Sequence, residues 1–141
     1  MATEKMTVEE IESTLAGFSG TDNWHKYSFG LTITDGVKFL ADSCGAYWFL
    51  DVIASYQPSI QRSRHEMLKE FQIWTLRHKP TKTYPCQAIA ECFADSGLPA
   101  ALTQKIRYTD FPKIKANDES FPDAAIKLYV ENGVICLPSE R

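Results

Sequence analysis

Asn132-Gly133 lies between two alternating runs, Ile126-Lys127-Leu128-Tyr129-Val130-Glu131 and Val134-Ile135-Cys136-Leu137. Both central positions of a two-residue hairpin turn require positive φ, which Asn and Gly accept at least cost. The pattern therefore predicts a β-hairpin over these residues. A lone hairpin is marginal in water and needs more strands or a helical layer against its apolar face.

Further strands are readable upstream. Phe71-Gln72-Ile73-Trp74-Thr75-Leu76-Arg77 is rich in β-formers, with apolar residues on both faces. Tyr84 to Phe93 reads as another strand, and Asp95-Ser96-Gly97 as the turn after it. Leu102, Gln104, Ile106 and Tyr108 share a face opposite Thr103, Lys105, Arg107 and Thr109. Between Trp24 and Ile33, the residues Tyr27, Phe29, Leu31 and Ile33 alternate with polar or small ones, which predicts one strand, with Gly30 the one residue in it that counts against strand. His78 to Thr83 and Asp110 to Asp123, both containing proline, read as connections.

The helical signals lie in the first half. Thr7 and Glu10 have capping-box spacing, Val8, Ile11 and Leu15 line one face, and Gly17 to Gly20 ends the element. Thr34 or Asp35 can cap a second helix from Gly36, carrying Val37 and Leu40. After Cys44-Gly45, a third runs from Ala46 to Tyr56, with Phe49, Val52, Ile53 and Tyr56 at helical spacing, and Pro58 stops it. Ser59 to Glu70 reads as a loop or a short helix. The expected fold is α+β: two to three N-terminal helices packed on one face of an antiparallel sheet of about five to six strands, ending in the Asn-Gly hairpin. At 141 residues the chain (1–141) reads as a single domain, long enough to build a core without staples.

Charge narrows the partners. The net charge of −3 gives no general affinity for phosphate backbones or anionic membranes, which argues against nucleic acid and membrane. A local excess of six basic over two acidic residues runs from Ile60 to Lys82 and includes Arg62 and Arg64. The first residues are acidic and no secretory signal or membrane span is read, so the expected location is the cytoplasm, with reduced thiols.

Motifs for chemistry do not emerge. Cys44, Cys86, Cys92, Cys136, His25, His65 and His78 form no close metal-ligand pair. Cys86 and Cys92 would sit roughly 20 Å apart on one strand, so buried structural thiols are expected. No nucleophile elbow, Cys-His signature or phosphate-binding loop occurs. Asp35, Asp51, Asp110, His65 and Cys44 remain the acid–base or nucleophile candidates, with Asp35 and Asp110 also suited to cap and turn roles. No metal, cofactor or catalytic residue is assigned, and the expectation is a protein that is not an enzyme.

The aromatic segment is the better lead. Trp24, Tyr27, Phe29, Tyr47, Trp48, Phe49 and Tyr56 crowd a short stretch. Most such stripes are core, but exposed Trp and Tyr anchor partners or stack on bases. The candidate partner- or ligand-binding residues are Trp24, Tyr27, Tyr47 and Trp48, with Arg62 and Arg64.

Several segments together carry a resemblance. They are Phe18-Ser19-Gly20-Thr21-Asp22-Asn23-Trp24, Thr34-Asp35-Gly36-Val37-Lys38-Phe39-Leu40-Ala41, Gly45-Ala46-Tyr47-Trp48-Phe49-Leu50-Asp51, Tyr108-Thr109-Asp110-Phe111-Pro112 and Leu137-Pro138-Ser139-Glu140. In this order they resemble an uncharacterised family, a domain of unknown function, of small proteins from bacteria, phages and plasmids. No catalytic role comes with the resemblance. What it implies is a setting: a non-enzymatic binding protein of phage or mobile-element type in a bacterial host. Such a protein would block a host protein or complex, as an anti-CRISPR or similar anti-defence inhibitor does. The alternative is a module that sequesters a small ligand or nucleotide, as a monomer or a homo-oligomer.

Overall fold

The capping box at Thr7 forms as read: Glu10 N donates to Thr7 Oγ1 and Thr7 N to Glu10 Oε1, both over 3.2 Å. It opens α1 (Val8–Ala16), which buries Ile11. The computed structural model describes residues 6–141, so the first five residues of the acidic N-terminal stretch lie outside the described residues. The later elements are β1 (Trp24–Lys26), β2 (Thr32–Thr34), α2 (Asp35–Cys44), α3 (Tyr47–Arg62), α4 (Glu66–Glu70), β3 (Phe71–His78), β4 (Ala88–Phe93), β5 (Leu102–Ile106), β6 (Ile126–Glu131) and β7 (Val134–Cys136). Short 3-10 turns occupy Ser28–Gly30 and Pro138–Glu140.

The class is α+β, as expected, but the sheet is larger and its pairing differs. Seven strands lie in the order β1-β2-β7-β6-β3-β4-β5. The β2–β7 pair is parallel, so the expected antiparallel sheet of five to six strands is a mixed one. The extra strand comes from the Trp24–Ile33 run, which folds back on itself. Phe29 (φ 58°) and Gly30 (φ 74°) take left-handed conformations and close a turn in which Tyr27 N donates to Leu31 O over 2.8 Å. β1 then pairs antiparallel with β2, Trp24 opposite Thr34. β2 is joined to the predicted Asn132-Gly133 hairpin by Thr32 N donating to Gly133 O at 2.8 Å.

Other boundaries also move. The strand read from Tyr84 starts only at Ala88. Tyr84 N donates to Thr81 Oγ1 and Gln87 N to Tyr84 O, so the chain turns there. β5 stops at Ile106 and leaves Tyr108 outside it. There are four α-helices among the described residues, where two to three were expected.

Pro58 does not end α3, which continues to Arg62. Burial beyond the proline holds the last turn: Ile60 is 3% exposed, and Gln57 is pinned to Gln72 of β3. Proline removes one helical hydrogen bond and crowds the preceding turn, at a cost of ~3 kcal/mol in an unconstrained helix. Pro58→Ala is therefore expected to keep the fold and raise stability by about 1 kcal/mol, read as a higher urea midpoint with unchanged slope.

Strand register divides the sheet cleanly. Trp74 lies opposite both Leu128 and Cys92, and Val130 opposite Gln72 and Ile135, so these side chains share one face. α2 and α3 pack on that face, where Val37, Leu40, Phe49, Ile53, Trp74, Leu76, Leu128 and Ile135 form the centre of a core less than 2% exposed. The opposite face carries Phe71, Tyr129 and Lys127. The loop between β5 and β6 covers part of it, with the Phe121 ring 4.9 Å from Phe93.

Candidate functional site

The β1–β2 hairpin sits at one end of the sheet and ends α2's approach to it. His25 points toward the helices: its Nε2 lies 2.9 Å from Asp35 Oδ1. Asp35 Oδ2 accepts from the backbone N–H groups of Asp22 and Asn23, at 3.1 and 3.2 Å. The His25 hydrogen bond, with these backbone donors, holds the Asp35 carboxyl below its ordinary range. The loop before β1 is thereby fixed to the start of α2. By strand alternation, Trp24 and Lys26 point the other way.

Tyr27 continues the hairpin and reaches α3. Its hydroxyl donates to Asp51 Oδ1 at 2.6 Å, and its ring stacks on Tyr47 with centroids 6.3 Å apart and planes 15° from parallel. Tyr47 donates to Asp42, which also accepts from Lys38 Nζ at 2.8 Å. Both hydroxyls have their pKa pushed above the usual tyrosine value, Tyr47 mainly by its hydrogen bond to Asp42, and Tyr27 by burial and then by Asp51. Both tyrosines thus stay neutral donors at physiological pH and brace the hairpin against α2 and α3.

The braced hairpin leaves two large side chains in solvent. Trp24 is 61% exposed and Phe29 64%. Phe29 is also strained, since a bulky residue at φ 58° costs of order 1–3 kcal/mol. Beside it, Gly30, Gln61, Lys69, Asn132 and Gly133 line a recess of about 130 Å³.

Of the residues singled out from the sequence, Tyr27 and Tyr47 meet, and Trp24 lies in the same hairpin as Tyr27. Trp48 is half-buried, packs on the core and has its ring 5.8 Å from Phe49. Arg62 and Arg64 are exposed, but Arg62 closes α3 at the end opposite Tyr47, roughly 22 Å along the axis. They lie far from Tyr47, while Gln61, the neighbour of Arg62, lines the recess beside Phe29. Phe29 belongs to the aromatic segment but not to the binding candidates read from the sequence; the signal for its exposure is Gly30 beside it, which marks a turn rather than a strand.

Two of the segments that carry the family resemblance meet in a structural clamp. The Glu140 carboxylate accepts from Thr34 Oγ1 (2.6 Å), Gly36 N (3.0 Å) and Leu137 N (3.0 Å). The chain end therefore caps α2. The thiols of Cys44, Cys92 and Cys136 are buried, and burial pushes them up to about 11, 12 and 11. They are protonated and poor nucleophiles at neutral pH. Cys86 is exposed and lies before β4 rather than in it. Among the described residues, no three His, Cys, Asp or Glu side chains come together to hold a metal ion, and no helix is long and apolar enough to cross a membrane.

Fold and surface define an α+β protein with helices on one side of a mixed seven-stranded sheet and an aromatic hairpin at its edge. The chain belongs to a family of unknown function, DUF6876, whose model matches residues 9–141. No curated protein and no solved structure matches it.

Proposed function

We propose that the chain is a non-enzymatic binding protein that engages a protein partner through Trp24 and Phe29 of the β1–β2 hairpin. The observation that carries this reading is their exposure, 61% and 64%, on a hairpin held rigid from behind. Aromatic side chains on a fixed support lose little entropy on binding and supply most of the energy at interfaces. The strain at Phe29 supports the same reading, because Asn or Gly would close that turn at lower cost. The resemblance to proteins of phages and plasmids favours a host protein or complex as the partner, with a defence complex the first to try.

The test uses the full chain as bait in a bacterial host lysate. Wild type is expected to retain a stoichiometric partner, and Trp24→Ala/Phe29→Ala to lose it with an unchanged circular-dichroism spectrum. Equal capture by both, or by neither, would overturn the reading.

One observation favours the alternative of a sequestered small ligand. A cleft of about 250 Å³ opens between α1, β6 and the chain end, walled by Leu15, Ile114, Ala125 and Leu137. That is below the roughly 300–1,000 Å³ of drug-sized sites. A thermal-shift screen of nucleotides and small metabolites decides: a flat response is expected, and a dose-dependent rise in Tm would favour the ligand reading.

A further inference from the structure

The sheet has a second end. β5 is its outermost strand there, five residues long against three for β1 at the other side. An unpaired edge of this length is a template for another strand, and proteins usually cover or blunt it. We infer that the edge of β5 pairs antiparallel with β5 of a second copy, across a two-fold axis at Gln104.

The register follows from symmetry. A two-fold perpendicular to the sheet keeps both helical layers on one side. Centred on Gln104, it sets Leu102 opposite Ile106 of the second copy, Thr103 opposite Lys105, and Gln104 opposite itself. Leu102, Gln104 and Ile106 are half-buried and face the helices, while Thr103 and Lys105 are exposed on the back. The apolar pair Leu102–Ile106 thus forms twice on the helical side. Lys105, the type of residue that commonly blunts an edge, meets a threonine rather than its own copy, so no like charges stand opposite each other.

Residues beyond the strand strengthen the case independently. Tyr108 is 72% exposed and Leu98 43%. Leu98 precedes β5 and Tyr108 follows it, so in an antiparallel pair Tyr108 of each copy lies at the end that carries Leu98 of the other. The pairing covers both large apolar side chains that flank β5. A pairing of one short strand and its flanks belongs at the small end of specific interfaces, below about 1,200 Å², so association in the micromolar range is expected.

Sedimentation velocity of the full chain from about 1 to about 200 μM tests this. The mass should rise from 16.0 kDa toward twice that value. Thr103→Lys places lysines opposite each other at two symmetric positions and should weaken the dimer about tenfold; Thr103→Glu, opposite Lys105, should tighten it about fivefold. Tyr108→Ser should also weaken it. Both positions are exposed, and far-UV circular dichroism verifies the fold of all three variants. A monomer throughout the range, or a dimer indifferent to the charge at position 103, would overturn the inference. The Trp24–Phe29 surface is at the other end of the sheet, so this result is independent of the partner capture above.

Discussion

Gln72→Leu is expected to destabilise the protein by about 3 kcal/mol, although leucine is more apolar and similar in size. Gln72 is 2% exposed, and every polar atom of its amide is used. Its Nε2 donates to Gln57 Oε1 (2.9 Å) and Leu68 O (3.1 Å), while its Oε1 accepts from Gln57 Nε2 (2.9 Å) and Trp74 Nε1 (2.8 Å). Leucine would orphan the Trp74 indole N–H, one N–H and the Oε1 of Gln57, and the Leu68 carbonyl in a dry core. Each unpaired buried group costs about 1–3 kcal/mol, and partial relaxation reduces the sum. Replacing both partners removes several orphans together. Gln57→Leu/Gln72→Leu should therefore cost clearly less than the two single changes added. Urea denaturation reads all three. A Gln72→Leu protein within about 0.5 kcal/mol of wild type would mean that the amide pair does not hold α3 to β3.

Gly36→Ala is the second large effect, and its sign is the informative part. In an exposed helix interior this change stabilises by about 1 kcal/mol. Here a Cβ would lie 2.5 Å from Leu137 Cδ1 and 2.6 Å from Glu140 Oε1. Leu137 is buried, and Glu140 is held by three hydrogen bonds, so neither yields freely. Overpacking and the loss of the Glu140 cap together should cost about 2 kcal/mol net, or about 6 °C in Tm. Removing the carboxylate first should relieve the Glu140 part of the clash and leave the contact with Leu137. Gly36→Ala is thus expected to cost less in a Glu140→Ala background than in wild type, by about 1 kcal/mol. Equal costs in the two backgrounds would show that the chain end does not sit against α2.

What could be read in advance was what local chemistry determines. The Thr7–Glu10 box and the Asn132-Gly133 turn each need only neighbours in sequence, and both form where expected. The β1–β2 hairpin was hidden because its turn places Phe29 at positive φ, and the alternation of Tyr27, Phe29, Leu31 and Ile33 imitates a single strand. The parallel β2–β7 pair joins segments about a hundred residues apart, and no local pattern specifies such a pairing. Pro58 misled for a related reason: its penalty is local, but the burial of Ile60 and the Gln57–Gln72 pair that offset it are tertiary.

The same division runs through the candidate site. The aromatic segment was visible as composition. Which members are core and which are surface depends on how α3 meets the hairpin. Trp48 turns inward, Tyr27 and Tyr47 brace each other, and Trp24 is left in solvent. Arg62 and Arg64 join the aromatics in the sequence by charge alone, and the length of α3 separates them from Tyr47.

Site-specific photo-crosslinking tests the binding surface most directly. A photoreactive phenylalanine analogue is placed in turn at position 24, at position 29 and, as a control, at Tyr84, which is 37% exposed and lies in the turn before β4. Irradiation in a bacterial host should give the same crosslinked protein from positions 24 and 29 and not from position 84. Crosslinks of equal yield from all three positions, or none from 24 and 29, would contradict a function carried by the β1–β2 hairpin.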